Sequence, residues 1–250
     1  MISAVDLSYS YAPGMPALSR ISFTFRAGER VLLLGANGAG KSTLLSLCNG
    51  LLRPCGGELR LLGEPVEYSK AGLRRLRSHV STVLQDAGDQ LFGATVLQDV
   101  AMGPLETGMQ EAAARELAME TLDLLGGGHL AERPIHALSA GEKKRVALAG
   151  VLTVRPSILL LDEPSAGLDA PGEDALLDTL SACAERGMAI CVATHNTWLL
   201  RHWATRAVVL RGGRLVFDGA SEDLLPHWDR QTAGCGLRAP AEAEGVTLCR

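Results

Sequence analysis

A glycine-rich loop followed by a lysine and a serine is the strongest chemical signal in the sequence. It reads Gly35-Ala-Asn-Gly-Ala-Gly-Lys41-Ser42 and matches G-x-x-x-x-G-K-[ST] at every fixed position. Glycines let successive backbone N–H groups turn around a polyphosphate, and a helix starting after the loop adds its own free N–H groups and dipole. Lys41 can reach the β- and γ-phosphates, and the Ser42 hydroxyl can bind Mg²⁺. The loop therefore predicts a binding site for a nucleoside triphosphate.

Two adjacent carboxylates, Asp162 and Glu163, follow the aliphatic run Ile158–Leu161. Ligands of open α/β sheets gather at the carboxyl ends of the strands. We therefore expect Asp162 to face the metal held by Ser42, and Glu163 to polarise a water for in-line attack on the γ-phosphate. Taken alone, an Asp-Glu pair after a strand is a helix N-cap about as often. Its occurrence together with the phosphate loop favours the catalytic interpretation.

Three further segments follow the same order along the chain as in one known family. Gln85 ends the predicted strand Val80–Leu84, Leu138-Ser139-Ala140-Gly141-Glu142 opens a helix, and His195 follows a strand ending at Thr194. With these segments, residues 1–225 resemble the ATP-binding subunit of ABC transporters. In that family's terms they are the Gln loop, an LSGGQ-like segment and the switch histidine, with a D-loop at residues 165–169.

This resemblance implies an ATPase with ATP and Mg²⁺ as cofactors. It implies catalytic roles for Glu163, His195 and Gln85, and Mg²⁺ ligands at Ser42, Gln85 and Asp162. Tyr11 would stack on adenine, although an ordinary strand position is the alternative for this residue. The residues implied to bind the nucleotide are Tyr11, Asn37, Gly38, Ala39, Gly40, Lys41, Ser42, Thr43, Ser139, Gly141 and Asp162.

The resemblance also implies a head-to-tail dimer that closes on two ATP molecules. Ser139 and Gly141 would contact the γ-phosphate bound to the second subunit, and Asp169 would lie at the same seam. The partner would be a second copy of this chain or a closely related ATPase. Two positions depart from LSGGQ: Ala140 replaces the first glycine, and Glu142 replaces the glutamine. We expect activity to survive both changes.

Residues 85–104 are similar to the energy-coupling-factor group, in particular to its cobalt and nickel importers. The similarity implies two membrane partners, a transmembrane coupling protein and a substrate-capturing protein. Leu91, Phe92 and Val96 are candidates for the docking groove, with core residues of a helical region as the alternative. A vitamin importer is the nearest competitor, because no residue of such an ATPase contacts the transported solute.

Two other classes of protein compete with a transporter subunit. Soluble ABC-type ATPases of DNA repair carry a long coiled coil between the Gln loop and the LSGGQ-like segment. Only residues 86–137 intervene here, without a sustained heptad, and translation factors of this type usually join two cassettes in one chain. A P-loop kinase would need neither the LSAGE segment nor His195.

The elements that must position these residues indicate an α/β fold. Alternating strands and helices predict a P-loop NTPase (RecA-like) mixed sheet with helices on both faces. Val5, Leu7, Tyr9 and Tyr11 alternate with polar residues and predict part of an N-terminal antiparallel β layer. We expect a single domain over residues 1–230, with its core at about 1–88 and 136–230. A helical subdomain would span about 89–135, and a flexible tail would span 231–250.

Composition excludes several other classes of protein. The 250 residues are 47% hydrophobic and 21% charged, which argues against disorder, and a formal charge of −4 argues against a protein that coats nucleic acid. Six cysteines are scattered without the spacing of a zinc site, and no role is predicted for Cys235 or Cys249. No secretory signal or apolar run of membrane-spanning length is visible. We expect a peripheral protein on the cytoplasmic face of the cell membrane.

Overall fold

The computed structural model describes residues 1–239 of the chain. Its strands are β1 (Ile2–Ala12), β2 (Met15–Phe25), β3 (Arg30–Leu34), β4 (Gly56–Leu61), β5 (Glu64–Pro65), β6 (Val80–Val83), β7 (Ile158–Asp162), β8 (Ala189–Thr194), β9 (Arg206–Arg211) and β10 (Arg214–Ala220). Its α-helices are α1 (Lys41–Cys48), α2 (Lys70–His79), α3 (Val96–Glu106), α4 (Glu111–Leu124), α5 (Ala140–Thr153), α6 (Ala170–Glu185), α7 (Leu199–His202), α8 (Ser221–Leu224) and α9 (Trp228–Thr232). This arrangement confirms the predicted α/β class.

A six-stranded sheet forms the centre of the molecule, in the order β10-β9-β3-β8-β7-β6. All neighbouring strands are parallel except the β9–β10 hairpin. Strands β7 and β8 are buried at every position because their aliphatic side chains are covered on both faces of the sheet. The register pairs Leu34 with Thr194 and Asp162 with Ala193. The carboxyl ends of β3, β7 and β8 therefore meet at one edge, where the phosphate loop begins.

A second, antiparallel sheet has the order β2-β1-β4-β5. The sequence predicts that Val5 shares the buried face of β1 with Leu7, and this prediction is wrong. Asp6 has a φ of +49°, and the register of β1 shifts between Ala4 and Leu7. The bulge adds one residue to the strand, so Ala4 and Leu7 face the core while Val5 is 44% exposed.

The region between β6 and α5 contains helices α3 and α4, which pack on α5. Thr95 caps α3 by accepting a hydrogen bond from the backbone N–H of Gln98. Ala114, Ala118 and Leu122 follow the predicted helical spacing and are fully buried. This region coincides with the predicted helical subdomain, and the boundary between subdomain and core stays a prediction.

The structure differs from the predicted tail over its first residues. Helix α9 extends to Thr232, and Cys235 is only 1% exposed within the core cluster that also holds Trp228. The Arg211 guanidinium donates a hydrogen bond to the carbonyl of Ala233. This segment is held by a few individual contacts, such as the buried Cys235 and the hydrogen bond from Arg211. Such contacts leave no periodic pattern of apolar residues, so the sequence did not predict that the segment is packed. Cys249 and the other residues from 240 onward lie outside the described residues.

The α-helices within residues 1–239 are 4 to 16 residues long. None of them combines the length and the apolar character needed to cross a bilayer.

Candidate active site

The phosphate loop, residues 35–40, connects β3 to α1 and is packed tightly from both sides. A Cβ atom on Gly35 would lie 2.7 Å from the carbonyl oxygen of Leu210. Gly40 has a φ of +106°, and a Cβ atom there would lie 2.7 Å from Leu18. Side chains at these positions would clash with β9 and β2. The glycines of the motif are therefore required by packing as well as by any bound phosphate.

Lys41 is the first residue of α1, and its ammonium group lies inside the loop. The side chain is 7% exposed, and Nζ donates hydrogen bonds to the carbonyls of Gly35 at 2.7 Å and Ala36 at 3.3 Å. No acidic residue occupies the first turn of α1. The loop thus combines a fixed cation with the positive end of a helix, which is the electrostatic environment that a phosphate group requires.

Asp162 ends strand β7 beside Ser42. Burial raises the pKa of the Asp162 carboxyl, while the Ser42 hydroxyl hydrogen bond and the ammonium groups of Lys41 and Lys144 act to lower it. Hydroxyl and carboxylate oxygens are the hard ligands that Mg²⁺ prefers. No group of three or more His, Cys, Asp or Glu side chains within residues 1–239 could hold a metal. The Ser42 hydroxyl and the Asp162 carboxylate, which lie within hydrogen-bond distance of each other, fit an ion bound through one or two side chains and the nucleotide phosphates.

Glu163 has a left-handed backbone and a carboxylate held at both oxygens. Its φ is +47°, a conformation that costs a bulky residue about 1–2 kcal/mol. Oε1 lies 2.8 Å from Nδ1 of His195, and Oε2 accepts a hydrogen bond of 2.8 Å from the Thr194 hydroxyl. An ionised carboxylate only accepts hydrogen bonds, so Nδ1 of His195 is the donor in this contact whenever Glu163 is ionised. The structure thus shows direct contact between Glu163 and His195, to which the sequence assigned separate roles.

These groups line one cleft with a volume of about 490 Å³. Gln85 is exposed in the cleft, and Tyr11 stands at its rim, 64% exposed, with its hydroxyl 3.0 Å from Oγ1 of Thr43. The predicted site residues in the lining are Tyr11, Asn37, Gly38, Gly40, Lys41, Ser42, Thr43, Gln85, Asp162, Glu163 and His195.

Three predicted site residues do not line this cleft. Ala39 is buried behind the loop, where its carbonyl accepts a hydrogen bond from the N–H of Gly213. Ser139 and Gly141 lie at the start of α5, and neither is part of the cleft lining within the same chain.

The first turn of α5 shows the structural role of the glutamate at position 142. The Ser139 N–H donates to Oε2 of Glu142 at 2.7 Å, and the Glu142 N–H donates to the Ser139 hydroxyl at 3.3 Å. This reciprocal pair is a capping box. The guanidinium of Arg133 adds a hydrogen bond of 2.8 Å to Oε1. The hydrogen bonds from Ser139 and the charge of Arg133 hold the pKa of Glu142 below its ordinary value.

Glu142→Gln should preserve the capping box but remove the charge that favours both the helix dipole and Arg133. We expect the melting temperature at pH 7 to fall by about 1–3 °C. Because the pKa of Glu142 is lowered in the folded state, its contribution is present above about pH 4.3, the unfolded value, and is lost as the pH falls through the folded value. Thermal melts between pH 3.5 and 7 check this, with exposed Glu132→Gln as the control. A deficit independent of pH would contradict it.

Two residues that support the site were missed at the level of sequence. Thr194 donates to Glu163, and Gln90 holds the segment before Gln85. The Gln90 side chain accepts from the Leu84 N–H at 2.8 Å and donates to the carbonyl of Thr82 at 2.9 Å. The only sequence feature that could have identified Thr194 as a supporting residue is its hydroxyl directly before His195. No sequence feature indicated that the Gln90 side chain supports the segment before Gln85.

The predicted docking residues separate into two environments. Leu91 is 9% exposed and Val96 is fully buried, so both belong to the core, which is the alternative that the sequence left open for them. Phe92 is 78% exposed. Met102 and Leu105 on α3, together with Met109 just after it, are also exposed, at 39%, 41% and 39%. Apolar surface is therefore present in this region, on the predicted residue Phe92 and on three side chains that were not predicted.

Comparison with protein sequences places these features in a known context. The ABC transporter family profile matches residues 18–166. The cobalt import ATP-binding protein CbiO of Rhodobacter capsulatus is 44% identical over 241 residues, covering 96% of this chain and 85% of that protein. An energy-coupling factor transporter ATP-binding protein, EcfA of Methanothermobacter thermautotrophicus, is 43% identical over 225 residues, covering 90% and 72%.

Solved structures resemble this chain over most of its length. The structure of cbiO1 from Clostridium perfringens, described as part of the ABC transporter complex cbiONQ, has a TM-score of 0.81 at 35% identity and covers 92% of this chain and 93% of its own. A dimeric cassette, MJ0796, bound to ADP and Pi, has a TM-score of 0.81 at 25% identity and covers 88% and 99%.

Proposed function

The chain belongs to the ABC transporter family as an ATP-binding and ATP-hydrolysing subunit of an importer, and from this premise we propose that it powers the import of cobalt or nickel ions. The phosphate loop, Asp162, Glu163 and His195 meet in one cleft, and this observation supports assigning the ATPase activity to these residues. The solute assignment is supported by the likeness to a protein named for cobalt import.

In this proposal the phosphates of ATP lie against the loop and the first turn of α1. Lys41 neutralises the outer phosphates, and the exposed ring of Tyr11 stacks on the adenine. Ser42, Gln85 and Asp162 supply the oxygen ligands for Mg²⁺. When bound, Mg²⁺ would neutralise negative charge on the phosphate oxygens. The cleft lined by Tyr11 is also lined by Lys41 and by these three Mg²⁺ ligands.

We assign Glu163 as the general base. Its carboxylate takes a proton from a water molecule while the water oxygen forms a bond to the γ-phosphorus and the bond to ADP breaks. Each carboxylate oxygen has two lone pairs, so Glu163 can accept from this water while keeping its contacts to His195 and Thr194. His195 is 71% exposed at its side chain, which leaves the ring free to hydrogen-bond the γ-phosphate.

The active form in this proposal is a dimer of two copies of the chain, or of this chain and a closely related ATPase. Ser139 and Gly141 begin a helix whose N-terminal end does not line the cleft of its own chain. A head-to-tail partner would bring that helix end to the γ-phosphate, with Asp169 at the seam. The dimeric cassette of similar fold supports this arrangement. Closure would complete the site, and loss of phosphate would open it.

Ser139→Arg should block this closure because a long cation replaces the small hydroxyl at the seam. In a Glu163→Gln background, we expect nucleotide binding to the single chain to stay within about twofold and the ATP-dependent dimer to disappear on gel filtration. Ser139→Ala removes the helix cap without adding bulk and should retain dimers. Ser78→Arg, the same exchange at an exposed position on α2, is the matched control. Unimpaired dimers of Ser139→Arg would contradict the trans-site.

We propose a docking surface for the transmembrane coupling protein at Phe92, Met102, Leu105 and Met109. These side chains are apolar and exposed, and Phe92 follows the Gln loop by a few residues. A coupling protein docked there would hold the subunit at the cytoplasmic face of the membrane. It would also report closure of the cleft through the segment that carries Gln85. The substrate-capturing protein would be a separate membrane partner.

Affinity purification from native membranes tests the solute assignment. We expect a transmembrane coupling protein and a substrate-capturing protein to co-purify, and the complex in vesicles to take up labelled cobalt or nickel in the presence of ATP. Uptake of a vitamin instead would support the alternative within the energy-coupling-factor group. A soluble repair ATPase is disfavoured because the structure has only α3 and α4, of 11 and 14 residues, between Gln85 and Ser139.

A further inference from the structure

Lys144 connects the helix that carries Ser139 to the strand end that carries Glu163. It lies in the second turn of α5. Its Nζ donates hydrogen bonds of 2.7 Å to the backbone carbonyl of Glu163 and 2.7 Å to that of Ala166. Hydrogen bonds from an ammonium group are charge-assisted and about twice as strong as neutral ones. Lys144 therefore holds both ends of the turn that directly follows β7.

The turn needs such support because Glu163 is held in a strained conformation. Its φ of +47° is in the left-handed region, and only the surrounding contacts keep it there. The backbone bond across the turn, from the Ala166 N–H to the Glu163 carbonyl, is long at 3.3 Å. The ammonium of Lys144 is thus the shorter contact to that carbonyl. Loss of this contact would release the carbonyl, and with it the backbone from which the Glu163 carboxylate projects.

The surrounding charges also distinguish Lys144 from the lysine next to it. Burial lowers the pKa of Lys144, whereas the carboxylates of Glu163, Asp162 and Asp86 act to raise it. Lys143 approaches Gly88 instead. Within residues 1–239, the Lys143 side chain makes no hydrogen bond or ion pair. The two lysines are adjacent in sequence and share one helix, which makes Lys143 a matched control.

We propose that Lys144 is a positioning residue that fixes the Glu163 carboxylate for hydrolysis and ties it to helix α5 of the same chain. This inference rests on the proposed role of Glu163 as general base. Its consequence is a mechanical link between the two sites of the dimer. The start of α5 would be fixed by the partner's nucleotide, and Lys144 on the same helix would then fix the base in its own site.

Steady-state ATPase kinetics test the proposal with three variants. Lys144→Met keeps most of the unbranched side chain but removes both hydrogen bonds, and we expect kcat to fall about 10- to 100-fold with KM for ATP within about twofold. Lys144→Arg keeps a donor and should recover part of kcat. Lys143→Met should stay within about twofold of the unmodified protein. Wild-type kcat in Lys144→Met would overturn the proposal. So would failure of that variant to bind ATP in calorimetry, because the lysine would then act on nucleotide binding or folding rather than on the position of the base.

A double-mutant cycle with Glu163→Gln separates this proposal from the assignment of the base. If Lys144 acts through Glu163, adding Lys144→Met to Glu163→Gln should lower the residual rate by less than about twofold. Multiplicative losses would overturn the positioning role while leaving Glu163 as the base. Full turnover in Glu163→Gln alone would instead refute the proposed role of Glu163.

Discussion

Glu163→Gln should leave ATP binding intact and slow ATP hydrolysis by roughly 10²- to 10⁴-fold, the usual contribution of a general base. The amide is nearly the same size as the carboxylate, and its oxygen can still accept a hydrogen bond from Thr194 or His195. It cannot take a proton from water. Because closure of the proposed dimer requires binding but not hydrolysis, the variant should accumulate as a nucleotide-bound dimer. Phosphate release and gel filtration with ATP measure the two effects.

The control for this substitution is Glu185→Gln near the end of α6, an exposed position remote from the cleft lining. This substitution also removes one carboxylate charge, and we expect the variant to hydrolyse ATP at the rate of the unmodified protein. Full turnover in Glu163→Gln, with Glu185→Gln also unaffected, would refute the role assigned to Glu163. A slow variant that stays monomeric with bound ATP would retain the base but contradict closure into a dimer.

Lys41→Ala should weaken nucleotide binding itself. Nζ is a buried cation aimed at the loop, where it bonds the carbonyls of Gly35 and Ala36, and removing it also leaves those carbonyls without this donor. A hydrogen bond to a charged group contributes about 1.5–3 kcal/mol, so we expect the Kd for ATP to rise about 10- to 100-fold. Calorimetric titration with ATP measures the change.

Lys70→Ala is the control for this loss of charge, because Lys70 is exposed at the start of α2. A thermal melt shows whether Lys41→Ala still folds, since the buried lysine also supports the loop. Unchanged affinity in a folded Lys41→Ala protein would contradict the placement of the phosphates against residues 35–42. The comparison with Glu163→Gln is informative, since one variant should lose binding and the other only turnover.

Most of the site was predictable because its chemistry is encoded in local segments. The phosphate loop, the strand ending in Asp162 and Glu163, and the helix opening at Ser139 each show a pattern within about ten residues. Parallel strands that are buried on both faces bring their carboxyl ends to one edge, so the meeting of the phosphate loop with Asp162 and Glu163 also followed from topology. The α/β fold and the family were predictable for the same reason.

Other features depended on contacts between distant segments. The bulge at Asp6 turns Val5 outward, and Val96 is buried in the core cluster rather than exposed in a groove. Cys235 is buried although no periodic pattern surrounds it. These outcomes depend on which partner surface covers each side chain, and hydropathy alone does not specify that surface.

The residue order by itself determined what chemistry the chain performs, because the groups that hold phosphates and activate water must occur in fixed local spacings. The tertiary structure alone decided how those groups are held. It brought His195 and Thr194 onto Glu163 and carried Lys144 across to the same turn. Such contacts join residues 19 to 32 positions apart in the chain. Their geometry is set by the register of β7 and β8 and by the packing of α5, which no local pattern contains.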